Sequence, residues 1–258
     1  MKLDMINCLT AIILITGCNH ATVRNDQRKI ISSTNLIGME FVQIPPGTFR
    51  MGSQKSVFSS PVHSVTLSSF EIMCTEVTNS QYEAFEKRTR APESSLDNGP
   101  VCGVKRKDVV RFLKWLSQRD EYTYQVPTEA QWEYAARGGL EGKDFPWGDT
   151  VDDSKALIEG PTAVAVKTYP PNGFGLFEMC GNVAEMCWGP PFHYTAGPKT
   201  DPRGEFAMDY YASRGSGIKR PLAPWIWLAN IESDDPEQLP GLGFRLVRWK
   251  DSNPPFGL

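Results

Sequence analysis

Apolar and polar residues alternate through Phe41-Val42-Gln43-Ile44, a strand pattern that stops at the turn signal Pro45-Pro46-Gly47. Val65 to Leu67 and Phe70 to Met73 predict two further short strands. Thr78-Asn79-Ser80-Gln81 has the form of a capping box, in which the Thr hydroxyl and the Gln amide satisfy free backbone donors. A helix to about Lys87 should follow, with Tyr82 and Phe85 on one face. Val109, Phe112, Leu113 and Leu116 recur at helical spacing and predict an amphipathic helix of about 107 to 119. A second capping box, Thr128-Glu129-Ala130-Gln131, opens a helix that should stop at Gly138-Gly139. After Pro146-Trp147-Gly148 regular signals fade into turns, short strands and aromatic residues. Helices in the first half and irregular β-structure behind them give an α+β class.

The N-terminus is patterned differently. Met5 to Gly17 is mostly apolar but well short of the roughly 20 residues that a spanning helix needs. It has the length of a signal-peptide core, although Lys2 is its only early cation and Asp4 offsets it. The junction Leu14-Ile15-Thr16-Gly17-Cys18 resembles the bacterial lipobox, which implies cleavage before Cys18 and lipid on that cysteine. An ordinary cleaved signal and a short buried helix are the alternatives. Asn19 after the cysteine, by resemblance to enterobacterial sorting rules, points to the outer membrane or cell surface. The expected division is a signal peptide at 1–17, a lipidated N-terminus and polar tether at 18–36, a folded domain at 37–250 and a tail at 251–258.

Composition narrows the chemistry. Net charge is -3 with no basic run, which argues against nucleic-acid binding. Gly (22) and Pro (20) are abundant, as a loop-rich fold requires. Beyond Cys18 lie Cys74, Cys102, Cys180 and Cys187, with no C-x-x-C pair, so they serve a core or disulfides. His20, His63 and His193 form no ligand-like spacing, and a zinc site is not expected.

The ordered landmarks carry a resemblance. Gly38 to Phe41, Pro46 to Ser53, Glu76 to Asn79, Val126 to Gly139, Pro146-Trp147-Gly148, Pro171 to Met179, Gly181 to Glu185 and Gly243-Phe244-Arg245 fall in the order of formylglycine-generating-enzyme (sulfatase-modifying factor) domains. The resemblance implies an irregular α+β fold of the C-type-lectin-like group. The enzymes of this family oxidise a peptide cysteine with a copper ion held by two cysteines near the C-terminus. That pair should fall between Arg214 and Gly243, yet the last cysteine of this chain is Cys187. Cys180 and Cys187 instead read as small buried hydrophobes or a local disulfide. The enzymes also hold calcium, and Asn182 and Glu185 match part of one site, with Ala184 and Met186 where aromatic residues are usual. Oxygen donors suit calcium; the alternative is that both side chains satisfy loop backbone groups. No other cofactor is required.

Between Arg214 and Gly243 the chain departs from the family while both flanks hold. This resembles the variable proteins of diversity-generating retroelements, a group that includes a treponemal lipoprotein. In those proteins a C-terminal segment ending before Gly-Phe-Arg lies on a ligand-binding face. The candidate ligand-binding residues are Tyr210, Tyr211, Ile218, Lys219, Arg220, Leu222, Trp225, Trp227, Ala229, Glu232 and Asp234. Trp and Tyr give large rigid contact area at low entropic cost. A core strand at Trp225-Ile226-Trp227-Leu228 is the competing interpretation. The expectation is a lipid-anchored, non-catalytic binder of an unidentified ligand, most plausibly a protein. A structural envelope or motility lipoprotein is the alternative, and an oxidase of the formylglycine-generating type is a more distant one.

Overall fold

The computed structural model describes residues 32–55, 59–87, 90–188, 194–203, 211–218, 230–232 and 241–250. Its centre is a five-stranded antiparallel sheet of β1 (Ser32–Thr34), β2 (Glu40–Ile44), β5 (Phe70–Met73), β12 (Val247–Trp249) and β6 (Thr123–Gln125), in that spatial order. The last strand in sequence is therefore inserted between two early ones. Val247 pairs with Ile72 on one side and Gln125 on the other. A three-stranded sheet joins β3 (Gly47–Met51), β4 (His63–Leu67) and β8 (Lys199–Thr200). A four-stranded sheet has the order β10 (Asn230–Glu232), β9 (Tyr211–Arg214), β7 (Ala184–Cys187), β11 (Leu242–Gly243).

Helices cover both faces of the central sheet. The period-two pattern of β2 sends Phe41 to one side and Val42 and Ile44 to the other. On the first side α2 (Arg106–Ser117) presents Val109, Phe112, Leu113 and Leu116 to Phe41, Met73, Tyr124 and Phe244. Phe112 is fully buried, with ring centroids of Tyr82 at 5.2 Å and Phe244 at 5.9 Å. Burying such a ring contributes about 1.5–3 kcal/mol. On the other side α3 (Glu129–Arg137) sets Trp132, Ala135 and Ala136 against Val42, Ile44, Ile72 and Val247.

Both capping boxes form. Thr78 opens α1 (Asn79–Glu83) and Thr128 opens α3, each with reciprocal hydroxyl and Gln bonds. The helix expected to reach about Lys87 is shorter: regular structure stops at Glu83 and the chain leaves through a turn closed by Glu86 N donating to Tyr82 O. That turn seats Phe85 between Tyr82, Phe112 and Trp115. Gly138 ends α3 in the left-handed conformation at φ 57°, and a Cβ there would lie 2.8 Å from Gly173 N. The strand expected at Val65 to Leu67 forms as part of β4, whereas its partner β3 carried no clear sequence signal.

Removal of the Thr128 hydroxyl should cost about 1 kcal/mol, because it leaves an N-terminal donor of α3 unsatisfied in a buried setting. Urea titration of Thr128→Ala should show that loss, and Thr128→Ser should restore most of it.

Candidate functional site

The Gly181-to-Glu185 block runs through the middle of the molecule. Gly181 (φ 80°) and Asn182 (φ 57°) take successive left-handed conformations, and a Cβ on Gly181 would meet Leu157 O at 2.3 Å. This tight step delivers Glu185 into the core on β7. Its carboxylate accepts from Arg245 Nε at 2.7 Å, Arg245 Nη2 at 2.7 Å and Trp132 Nε1 at 2.8 Å. The remaining Arg245 donors reach the carbonyls of Met73, Cys74 and Phe177 at 3.2, 3.2 and 2.8 Å. Guanidinium and carboxylate are both fully buried. A bidentate pair with every donor used is the arrangement that makes a buried charge tolerable.

Two further carboxyls adjoin this pair. Glu178 accepts from the backbone N–H groups of Lys167 (3.1 Å) and Tyr169 (3.3 Å), and burial raises its pKa against those bonds. Glu76 is completely buried; Oε1 accepts from Asn182 Nδ2 at 3.1 Å, whereas Oε2 has no partner among the described residues. Burial pushes the Glu76 carboxyl well above the usual range, the charges of Glu178 and Glu185 add to this, and Arg245 opposes it. A fully buried carboxyl with one oxygen unpartnered disfavours the ionised form and favours the neutral acid.

A second buried network lies under β9. Arg214 bonds Glu129 at 2.5 Å and Glu133 at 3.0 Å, and also contacts the Tyr194 hydroxyl. Glu133 in turn holds Arg137 at 2.6 Å and accepts from Gly52 N at 2.8 Å. Arg214 thus fastens the start of the C-terminal segment to α3. Gly217 continues the fastening: a Cβ there would come within 2.5 Å of Ala184 N.

The expected calcium ligands do not fit a common cation site. Asn182 Oδ1 accepts from Val164 N at 2.9 Å and its amide faces Glu76, while both Glu185 oxygens face Arg245. A hard cation needs several converging oxygens, and the charge of Glu185 is already met by a guanidinium. Among the described residues no group of three or more His, Cys, Asp or Glu could hold a metal. Nor do the thiols fit copper. Cys74, Cys102, Cys180 and Cys187 are all free and buried, so Cys180 and Cys187 are packing residues without a disulfide. Burial raises the Cys74 pKa to about 11 and those of Cys180 and Cys187 further, which disfavours the thiolates a soft metal requires. His63 is buried as well, edge-on to Tyr194.

The proposed ligand-binding residues divide into three groups. Ile218 belongs to the core, not to an exposed face. It is 2% exposed, packs with Cys102, Ala163 and Val183, and its N–H donates to Asn182 O at 2.8 Å. Tyr211 and Glu232 are paired across β9 and β10, and β10 is the edge strand of its sheet. Tyr210, Lys219, Arg220, Leu222, Trp225, Trp227, Ala229 and Asp234 lie outside the described residues, as does the Trp225–Leu228 strand alternative. A separate open cleft of about 480 Å³ includes Phe70, Tyr122, Asp201 and Trp249 in its lining and draws none of its lining from β7, β9, β10 or β11.

The Glu76–Glu178–Glu185–Arg245 cluster was not foreseen as a unit. Glu76, Glu185 and Arg245 stood in quoted motifs, but spacings of 109 and 60 residues carry no pairing signal. Glu129, Glu133 and Arg137 were more accessible to inspection, since i, i+4, i+8 spacing places them along one helix face.

Short strands, long packed connections and buried guanidinium clamps define a mixed α+β domain of C-type-lectin-like character. The chain belongs to the Sulfatase-modifying factor enzyme 1-like domain family, which it matches over residues 27–250. It is 32% identical over 244 residues to the formylglycine-generating enzyme of Thermomonospora curvata, covering 65% of this chain and 78% of that enzyme. The Streptomyces coelicolor formylglycine-generating enzyme is 30% identical over 236 residues, covering 63% of this chain and 73% of the enzyme. Among solved structures, Treponema denticola variable protein 1 has the same fold, with a TM-score of 0.70 and 22% identity over 84% of this chain and 98% of that one. PvdO from Pseudomonas aeruginosa does too, with a TM-score of 0.73 and 24% identity over 84% and 97% of the two chains. The expected α+β fold and the family are therefore both found.

The neutral Glu76 has a pH signature. An unfolded glutamate ionises near its ordinary value of 4.5, while the folded one keeps its proton. Stability therefore declines as pH rises from that value, by up to about 1.4 kcal/mol per pH unit for one proton. Glu129 and Glu178 are shifted in the same direction and add to the slope. Glu76→Gln mimics the protonated form, so chemical denaturation across this range should give a shallower slope and a higher stability at about pH 7. An unchanged slope would place the proton elsewhere.

Proposed function

We propose that this chain is a lipid-anchored, non-catalytic ligand-binding protein of the bacterial cell surface or outer membrane. Its lipid would sit on Cys18, and its ligand, a protein, would dock on a face built from residues 210 to 240. The observation that carries this proposal is the fate of the cysteines. Cys74, Cys102, Cys180 and Cys187 are buried packing residues, and no cysteine follows Cys187. The stretch from Arg214 to Gly243, where the resemblance would place the copper pair, contains no cysteine, which supports a non-catalytic reading. Calcium is not needed for the role, since Glu185 and Asn182 are used internally.

The arrangement of the flanks supports a diversified segment. Arg214 is tied to α3 on one side, Arg245 is tied to β7 on the other, and β10 between them is an edge strand. Among the described residues the segment is held at both flanks and by the pairing of β10 with β9, which supports a face carried on a fixed frame. Trp225, Trp227 and the acids Glu232 and Asp234 supply the aromatic and charged groups that binding faces use.

Identity of 30–32% to formylglycine-generating enzymes supports a second reading, that of an oxidase. The two separate cleanly. The chain should consume no oxygen when given copper and a cysteine-containing sulfatase peptide; copper-dependent turnover would establish the oxidase. The neighbouring DNA tests the binder. It should contain a reverse transcriptase gene and a near-copy of the segment encoding residues 213–248, differing at adenines. Lack of both would remove the diversified face.

A further inference from the structure

The charges of this protein are unevenly placed. Net charge is -3, yet residues 105–119 carry six Lys or Arg against the single acid Asp108. Helix α2 buries Val109, Phe112, Leu113 and Leu116, and exposes Lys107, Arg111 and Lys114 at i, i+4, i+7 spacing, a continuous stripe. Nearby acids are committed in part. Glu86 and Asp108 hold Arg111 at 3.2 Å, Asp120 accepts from the Tyr124 hydroxyl and Glu121 pairs with Lys250. Lys105, Lys107 and Lys114 have no acidic partner among the described residues. Trp115 borders the stripe half-buried, with the Arg119 guanidinium 4.9 Å from its ring centroid. Cations beside a partly sunk Trp are the composition of a membrane–water interface.

The start of the domain lies against the same helix. Asn35 Nδ2 donates to the Tyr124 hydroxyl at 3.3 Å, and Tyr124 N donates to Ser117 Oγ, at the last residue of α2, at 3.0 Å. Ile37 packs into the cluster that α2 covers. Arg248, held between the rings of Phe41 and Tyr122, also bonds Ser33. Thirteen residues lie between Cys18 and Ser32, a reach of at most about 50 Å when fully extended.

We infer that α2 is the membrane-facing side of the domain, with Lys107, Arg111, Lys114 and Arg119 against anionic phospholipid headgroups. The orientation rests on the Cys18 anchor proposed above; the attraction of the face for anionic lipid does not.

The test uses the full chain produced in a bacterial envelope, with the mass of its N-terminal peptide reporting acylation at Cys18. Purified protein is mixed with phosphatidylcholine vesicles with or without phosphatidylglycerol, and the acetylation rate of each lysine is read by mass spectrometry. Lys107 and Lys114 should be protected severalfold only when phosphatidylglycerol is present, and high salt should reverse the protection. Lys143 and Lys155, on the α3 side, should react equally in both. In flotation, Lys107→Gln and Lys114→Gln should each weaken binding to the anionic vesicles roughly fivefold, and Lys155→Gln should leave it unchanged. Equal acetylation in both vesicle types, or protection by an acidic protein but not by phosphatidylglycerol, would overturn the inference. An unmodified Cys18 with protected lysines sinks the anchor and keeps the face; an acylated Cys18 with unprotected lysines does the reverse.

Discussion

The buried pair of Arg245 and Glu185 is the interaction on which the rest of this structure depends. It joins the C-terminal Gly-Phe-Arg step to β7, to Trp132 of α3 and to the carbonyls that end β5. Two residues beyond it the chain enters the central sheet as β12, so the same clamp sets the register of the strand that closes the fold. Both charges are fully desolvated. Formation of such a pair gains little over an apolar core, but removal of one partner costs about 3–5 kcal/mol because the other is left uncompensated. The pair therefore specifies geometry more than it adds stability.

That distribution of constraint bears on function. Charge networks at Arg214 and Arg245 bracket the segment 215–244, and close glycine contacts at Gly217 and Gly243 reinforce both ends. Demands on residue identity concentrate at the brackets. The same family and fold include formylglycine-generating enzymes and a variable protein, so fold and family do not settle activity. Cys74, Cys102, Cys180 and Cys187 are buried, and desolvation favours the thiol forms of Cys74, Cys180 and Cys187.

Much of the fold was legible in the sequence because its signals are local. The strand at Phe70 to Met73, the amphipathic α2 and both capping boxes follow from spacing within a few residues. The end of α1 was misjudged, since Phe85 is placed by a tertiary aromatic cluster rather than by helix periodicity. Glu76 stood out least. A carboxyl with no local partner reads as a surface residue, and only the assembled core shows it buried against Asn182, 106 residues away. Ile218 was misplaced for the opposite reason: it sits in a stretch of unusual composition but packs in the core with Cys102, Ala163 and Val183.

We propose that residues 219–229, between the charge-clamped flanks, tolerate substitution without loss of the fold. Randomisation of codons 219–229 in a surface-displayed library, scored by resistance to protease, tests this most directly. The account predicts that most variants keep the parental resistance, whereas parallel libraries at Arg214, Gly217 and Arg245 lose it. Loss of resistance across most of the 219–229 library would contradict the claim and return that segment to the core.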